Sequence, residues 1–543
     1  MTTKPDSLKP FFELAIKNIT SFGDTDIFPL PFENHTLFDR QSQFVTLLCE
    51  AYGETNDEFD KLFAKTPPQN IESLTPVGYT GFRLSAQLDH FWNAFLLGLV
   101  LAVSEEIEAT RLPIDSHRVF SYRIDLQSDS GRLFNDEIGF RMFLSHSRQL
   151  AKESEYVVIT DISDCYSRIP HHQIKNGFQQ VGVSSDIGHR ILKILMDFSN
   201  EKSYGVPIGG PAARILVELV LSLTDDLIKQ NGYLFCRFAD DYHIFVKSET
   251  EAYNALLFLS EKLARNEGLA LQKAKTRILS SKEFLNIPDL YSIEQDPDSS
   301  HPLKTLLNIS LRFDPYSPTA TQDYEALRDE IDTIDLVHLL DLELLKSRVH
   351  PTVTRRILGA VRHASDSVKG EAALTMLQNI ESLYPIFPSV AITFRTIFSD
   401  LSDDVQRQIC ETFRKIVREN HPLSLSDVHA AYIVRALGLR KTSDNIDTLV
   451  SMFNRRPAPL IRKDVILIMA NWEEYSWLFD LKNTFSSLSL WERRAFIVAS
   501  YKMGDAGKHW RDHHRDGFSK FEHEIRQWTA DKKQRDANWS IPL

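Results

Sequence analysis

Asp240 and Asp241 stand side by side between two runs of strand-forming residues, Tyr233-Leu-Phe-Cys-Arg-Phe and Tyr242-His-Ile-Phe-Val. Aromatic and β-branched residues favour strands, and adjacent ionised carboxylates disfavour a sheet interior, so the pattern predicts a β-hairpin with acids at its tip. A second apolar strand, Tyr156-Val-Val-Ile-Thr-Asp161, also ends in a carboxylate, and Ile162, Ser163, Asp164, Cys165 and Tyr166 follow it. Three carboxylates at neighbouring strand ends can hold two Mg²⁺ ions, whose charge stabilises the attacking and leaving oxygens of an in-line displacement at phosphorus. Alone, the Asp-Asp pair would read as a solvated turn. A strand-end Asp161 upstream and a glycine-rich segment between the two motifs turn the reading towards metal chemistry. Asp164 stays open between a supporting acid, a helix cap and a surface residue. His171 and His172, after Pro170, read as polar surface groups at a helix start rather than as ligands.

The chain has 543 residues, enough for several cores, and its 43% apolar and 25% charged residues are those of an ordinary globular protein. A formal net charge of -12 argues against a broad, sequence-independent grip on duplex nucleic acid, which needs Lys and Arg to neutralise phosphate; a local basic channel remains compatible with it. Cys49, Cys165, Cys236 and Cys410 lie far apart without metal-ligand spacing, and read as reduced thiols of a cytoplasmic protein. The amino terminus lacks an apolar signal region, and the apolar stretch from Trp92 to Val103 is too short to span a bilayer, so no membrane partner is expected.

The organisation expected is three-part. Residues 1–110 read as a helical and mixed region with loop signals at Phe28–Phe32 and Lys65–Pro68, and with a helix from about Ser85 to Glu108. Residues 111–291 alternate short apolar strands with helices, as in a mixed α/β domain, and hold the acid motifs. The polar, Pro-containing segment Ser292–Pro302 reads as a linker. Residues 303–535 read as successive helices with weakly similar starts at Pro351, Ser402, Pro457 and Leu490, each placing an Arg before an apolar helical face. This is similar to HEAT-type repeats, though the spacing is irregular enough to leave a non-repetitive bundle open. The end, from Trp528 to Leu543, reads as polar and loosely ordered.

Taken together, these motifs resemble the palm of reverse transcriptases. Asp161 falls where that family has its first catalytic carboxylate, and Phe238-Ala-Asp-Asp241 matches its aromatic-x-Asp-Asp box. The resemblance implies a fold of α+β class, with reverse-transcriptase-like fingers and palm followed by an all-α HEAT-like domain. It implies catalysis by Asp161, Asp240 and Asp241, with Ile162 joining them in the metal set, two Mg²⁺ ions for which Mn²⁺ can substitute, and dNTPs as substrates. Tyr166 takes the place of the aromatic that packs under the incoming sugar and excludes a 2′-hydroxyl. The segment Ser203–Arg214 resembles the glycine motif between palm strands, where Pro207 and Gly209 approach the nucleotide. Downstream, Lys275 or Lys273 is placed to meet the triphosphate; upstream, Arg111 and Arg123 are the candidates for the same task. One departure is Ile208, where templated enzymes carry a glutamine that touches the nucleotide.

Palm, acidic chain and helical tail together look like the bacterial abortive-infection reverse transcriptases of the AbiK and AbiA class. That resemblance implies anti-phage defence by untemplated synthesis from a hydroxyl of the protein itself. It also implies single-stranded DNA covalently attached to the protein, and a homo-oligomer. The priming residue is not identified by the sequence; Tyr52 and Tyr79, each next to a glycine-bearing turn, are weak candidates. The alternatives are an RNA-templated reverse transcriptase and a catalytically idle scaffold acting through its helical repeats.

Overall fold

The computed structural model describes residues 3–25, 27–287, 306, 309, 320–346 and 348–543. The expected linker Ser292–Pro302 lies outside the described residues. Contacts divide the chain into two compact units, Met1–Asp26 with Glu33–Ile71 and Ala86–Tyr291, and Ile27–Phe32 with Glu72–Ser85 and Ser292–Leu543. The strands are β1 (Ile71–Val77), β2 (Gly81–Gln87), β3 (Ile124–Gln127), β4 (Arg132–Phe134), β5 (Tyr156–Asp161), β6 (Leu234–Phe238), β7 (Asp241–Val246) and β8 (Arg277–Ser280). The architecture is α+β, with helices prevailing towards the carboxyl end.

In the first unit β6, β7, β5 and β8 form an antiparallel sheet in that order. Side chains alternate across a sheet, so the registers Val157↔Phe245 and Cys236↔His243 set these residues on one face, together with Asp161 and Asp241. That face packs on Phe143 and Ala151 of α2 (Phe140–Lys152), and on Phe120 and Phe284. The other face carries Phe235, Arg237, Tyr242 and Ile244, and meets α3 (Pro211–Gln230) and α4 (Glu249–Lys262). Cover on both sides explains why β5 buries Val157 and Val158 alike, a continuous apolar run rather than an alternating one. The apolar stretch from Trp92 is a buried helix, α1 (His90–Leu101). It begins later than Ser85 because Ser85–Gln87 belong to β2 and Asp89 caps it, accepting from the amides of Phe91 and Trp92.

The second unit is helical apart from β1 and β2. The helices α5 (Phe387–Ile397), α6 (Asp427–Leu437), α7 (Pro459–Asn471), α8 (Leu490–Ala499) and α9 (Lys520–Arg535) stack in order. Two arginines of the repeat starts, Arg462 and Arg493, act here as rungs, and Arg435, outside those starts, acts as a third. Arg435 of α6 grips both oxygens of Asp464 in α7 at 2.6 and 3.2 Å. Arg462 reaches Glu492 of α8 at 2.9 Å, and Arg493 reaches Glu522 of α9 at 3.3 Å. Glu492 and Glu522 also close capping boxes with Ser489 and Ser519, so each joins a rung to a helix start. The tail is not loose as expected: α9 runs to Arg535, Trp528 is buried, and Asn471 holds both backbone groups of Ile541 at 2.8 and 2.9 Å. Among the described residues no helix is long and apolar enough to cross a membrane. All four cysteines are free thiols.

Candidate metal centre

The antiparallel register pairs Asp161 of β5 directly with Asp241 of β7. Phe238 pairs with the same Asp241 from β6, which leaves Ala239-Asp240 as a two-residue connection. Tight hairpins need positive φ at the first central position, and Ala239 adopts φ +52, a conformation uncommon outside glycine. Together the turn and the strand ends bring ligand oxygens of Asp161, Asp240 and Asp241 within 4.8 Å of one another. Hard carboxylate oxygens in this arrangement suit Mg²⁺ or Mn²⁺ rather than a soft metal. The Ile162 side chain is buried and apolar and offers nothing to a cation. Its amide is fixed on Asp240 O at 3.1 Å, whereas the adjoining bridge runs through Gln272 N to Asp161 O and Ser163 N to Ala270 O. The Ile162 carbonyl is therefore left out of that ladder and is the atom that could serve.

Crowding has an electrostatic signature. Burial, then the charges of Asp240 and Asp161, push the Asp241 carboxyl up to about 7, against the pull of Lys275. Lys275 Nζ lies 2.5 Å from Asp161 Oδ2, and its side chain is more than half exposed. Desolvation works to lower the Lys275 ammonium, yet its bond to Asp161 and the charges of Asp241 and Asp240 hold it above its ordinary value. A lysine so placed reaches both the acid cluster and solvent.

Behind the turn lies a buried ionic network that the sequence reading missed. Arg237, fully buried, donates to Ala239 O at 2.9 Å and so holds the turn carrying Asp240. The same guanidinium meets Asp225 at 2.6 Å and Glu218 at 2.8 Å, and Tyr242 donates to Asp225 at 3.2 Å. Burial pushes Glu218 up, but Arg111 and Arg237 together bring it below its ordinary value. The signal was present: Glu218 and Asp225 are seven residues apart on one helix face, opposite an arginine in a strand interior.

This network also corrects two expectations. Arg111 is spent on Glu218 at 2.7 Å, Glu108 at 2.8 Å and the carbonyls of Ser121 and Tyr122. Arg123 is buried against Glu108 and Leu112 O. Arg111 ties this segment to Glu218 of α3 and Arg123 ties it to Glu108 and Leu112, so both are enclosed and neither is presented to a triphosphate. Tyr52 is buried beneath the Arg190 guanidinium, 3.9 Å from its ring centroid, and Tyr79 donates to Ser382 O at 2.9 Å while accepting from Val349 N at 3.0 Å. As placed, the first hydroxyl is enclosed and the second is committed to backbone. His171 is no surface group either: it is buried, with Nε2 at 2.7 Å from Gly205 O, and it braces the glycine motif. His172 is exposed, as is Asp164, which sits at the start of the turn Cys165–Arg168 without a side-chain capping bond.

The glycine motif lies against the segment that follows β5. Val206 N donates to Tyr166 O at 2.9 Å, and Gly205 N to Ile169 O at 2.8 Å. Gly205 and Gly209 take φ +100 and +115, which side-chain-bearing residues rarely adopt, and Pro207 is buried between them. The Tyr166 phenol is raised well above its ordinary value by burial, and stays neutral.

Residues 107–304 match the sequence model of the family described as reverse transcriptase (RNA-dependent DNA polymerase), and it is to that family that this stretch is similar. No curated protein matches the chain. Among solved structures, apo telomerase from Candida tropicalis overlaps at 10% identity with a TM-score of 0.31, over 76% of this chain and 74% of that one. Telomerase from Candida albicans in complex with a TWJ fragment of telomeric RNA overlaps at 12% identity with a TM-score of 0.29, over 71% of this chain and 68% of that one. Whole-chain overlaps this loose leave the reading of the site to its own geometry.

Proposed function

We propose that this protein is a DNA polymerase of reverse-transcriptase type that adds dNTPs at a divalent-metal centre held by Asp161, Asp240 and Asp241, with the Ile162 carbonyl completing the set. The observation that carries this reading is the convergence of three carboxylates to within 4.8 Å inside the stretch that matches the reverse-transcriptase family model. Bound Mg²⁺, or Mn²⁺ in its place, supplies charge to the attacking hydroxyl and the departing pyrophosphate. The chain's own residues do the positioning. Asp161 is shared between cation and Lys275, whose exposed ammonium can turn to the incoming triphosphate. Tyr166 walls the sugar, and the backbone around Pro207 and Gly209 approaches the nucleotide closely.

The resemblance to abortive-infection enzymes carries the reading further: synthesis without template, priming by a hydroxyl of the protein, a covalently attached single strand, a homo-oligomer and a role against phage in the cytoplasm. Ile208 supports it, since an apolar side chain cannot make the contact of the templated enzymes' glutamine. The net charge of -12 supports it modestly, because an enzyme that never grips a long duplex needs less basic surface. The description of the matching family, RNA-dependent DNA polymerase, favours the second reading, RNA-templated synthesis. An intact acid triad speaks against an idle scaffold.

The test is incubation of the purified protein with labelled dNTPs and Mg²⁺, without template or primer, and a denaturing gel run before and after protease. Long labelled product that shifts on proteolysis supports untemplated, protein-primed synthesis. Incorporation only with added RNA shifts the assignment to the templated enzyme, and none under either condition sinks the polymerase.

A further inference from the structure

Gly188 stands inside the helix Ser185–Phe198, where glycine gives up helix stability that alanine would keep. Packing does not require it: a Cβ at this position would meet Phe178 Cδ2 at 3.5 Å, an ordinary contact. What the missing side chain does is leave space. Gly188, Leu192 and Met196 follow one another at intervals of four, so they share one edge of the helix. The preceding helix, His171–Gln180, sets Phe178 against that edge, and a cavity of about 430 Å³ opens between the two.

Its size and its apolar floor are those of a small-molecule pocket. Phe178 is buried, and Leu192 and Met196 form half-buried walls. Lys175 lines it from one helix and Lys193 from the other, and among the described residues no carboxylate lines it. His189, also on the lining, is claimed by Asp60 at 2.9 Å. Two ammonium groups over an apolar floor select an anion with an apolar body.

One wall of the cavity leads to the glycine motif. Met196 Sδ rests 3.3 Å from His171 Nδ1, and across the ring Nε2 lies 2.7 Å from Gly205 O. A carbonyl only accepts, so Nε2 carries the proton. Burial, against the pull of that bond, lowers the imidazole below its ordinary value and keeps it neutral. His171 N also donates to Ser203 O at 2.9 Å, and Val206 N, next to Gly205, donates to Tyr166 O at 2.9 Å. A thioether adapts readily to what touches it, so an occupant packed on Met196 sets how firmly the imidazole holds Gly205.

We propose that this cavity is a regulatory site for a small amphiphilic anion, an apolar body bearing a carboxylate, sulfonate or phosphate, whose binding steadies the glycine motif through Met196 and His171. The site stands apart from the polymerase reading above; its effect on nucleotide addition rests on that reading.

The test titrates anilinonaphthalene sulfonate, which fluoresces in apolar surroundings, against the full chain, and follows the KM for dCTP with Mg²⁺ in parallel. Saturable binding is expected, weakened about tenfold by Lys175→Glu combined with Lys193→Glu, and abolished by Gly188→Leu, which fills the floor. The charge reversals sit on side chains that reach solvent, so they decide the matter even if the filled variant fails to fold. Bound probe should lower the KM for dCTP about fivefold with kcat unchanged, and dCTP should tighten the probe about fivefold in return, because coupling is reciprocal. His171→Phe should keep the probe's affinity and lose the coupling, a split that a merely structural histidine would not produce. No saturable binding, or binding that the lysine reversals leave unchanged, overturns the site; probe binding with an unmoved KM overturns the coupling. A wild-type protein that incorporates no dCTP removes the polymerase reading and the coupling with it, while the probe titration still decides the site.

Discussion

Both units of the chain bury arginine–carboxylate contacts, and they use them differently. In the helical unit the contacts form a ladder in which Arg435, Arg462 and Arg493 each meet an acid of the next helix. Charge is balanced rung by rung, and the product is regular stacking. In the sheet-bearing unit Arg237, Arg111, Glu218 and Asp225 form a compact knot behind one turn, and just in front of that turn three carboxylates face one another. Balanced charge serves as mortar, whereas like charge held together at a strand end costs stability and calls for a cation. Burial first, and the charges of Asp240 and Asp161 after it, push the Asp241 carboxyl up to about 7.

The comparison breaks most readily at its acid end. Asp240→Asn should cut Mg²⁺-dependent dNTP incorporation by about a thousandfold or more while leaving the melting temperature unchanged or raised, because repulsion is removed along with the ligand. Retained incorporation, or a clear loss of stability, would show that these acids are structural after all. At the ladder end the expectation reverses: Arg435→Ala strands Asp464 in the interior and should cost about 3–5 kcal/mol in a denaturant titration, with incorporation per folded molecule unaltered. A loss below about 1 kcal/mol would mean that the rungs are ornamental.

Glu267 sharpens the contrast, being a buried acid of the first unit outside the knot. Burial pushes it up to about 7 although Thr224, at 3.4 Å, pulls the other way. A carboxyl whose folded value lies above its unfolded one contributes stability that is complete below the unfolded value of 4.5 and is lost as pH rises through about 7. Glu267→Gln should therefore match wild type near about pH 4 and exceed it by about 1–3 kcal/mol near about pH 8, read as a difference in chemical denaturation. Equal stabilities at both pH values would place that carboxyl in water. The smallest effect belongs to the exposed pair Arg132 and Asp136: Arg132→Ala should shift stability by less than about 0.5 kcal/mol, a baseline for pairs outside knot and ladder.

The acid hairpin was legible because its signals are local. Strand-forming runs on either side of Asp240-Asp241 need no distant partner to be recognised, and in the fold β6 ends at Phe238 while β7 begins at Asp241 itself. Helix starts at Pro351, Asp403, Pro459 and Leu490 follow the motifs that announced them. Arg111 and Arg123 show where local reading stops. An arginine in this segment looks the same in sequence whether it meets phosphate or a glutamate, and only packing decides: Glu218 of α3 claims Arg111 and Glu108 claims Arg123. His171 and Trp528 were misjudged for a related reason, since polarity of a segment does not reveal what later covers it.

By itself the sequence determined the carboxylates, their strand-end placement and the glycine-rich segment between them, because turn chemistry and side-chain alternation act over a few residues. Only the tertiary structure decided which charges face solvent and which are enclosed. It paired Asp161 with Asp241, set Arg237 behind Ala239 and held Tyr122 in a conformation its own chemistry disfavours. The physical reason is that desolvation and ion pairing depend on what packs against a group, and those partners are separated in sequence by anything from 12 residues, for Arg237 and Asp225, to 107, for Arg111 and Glu218.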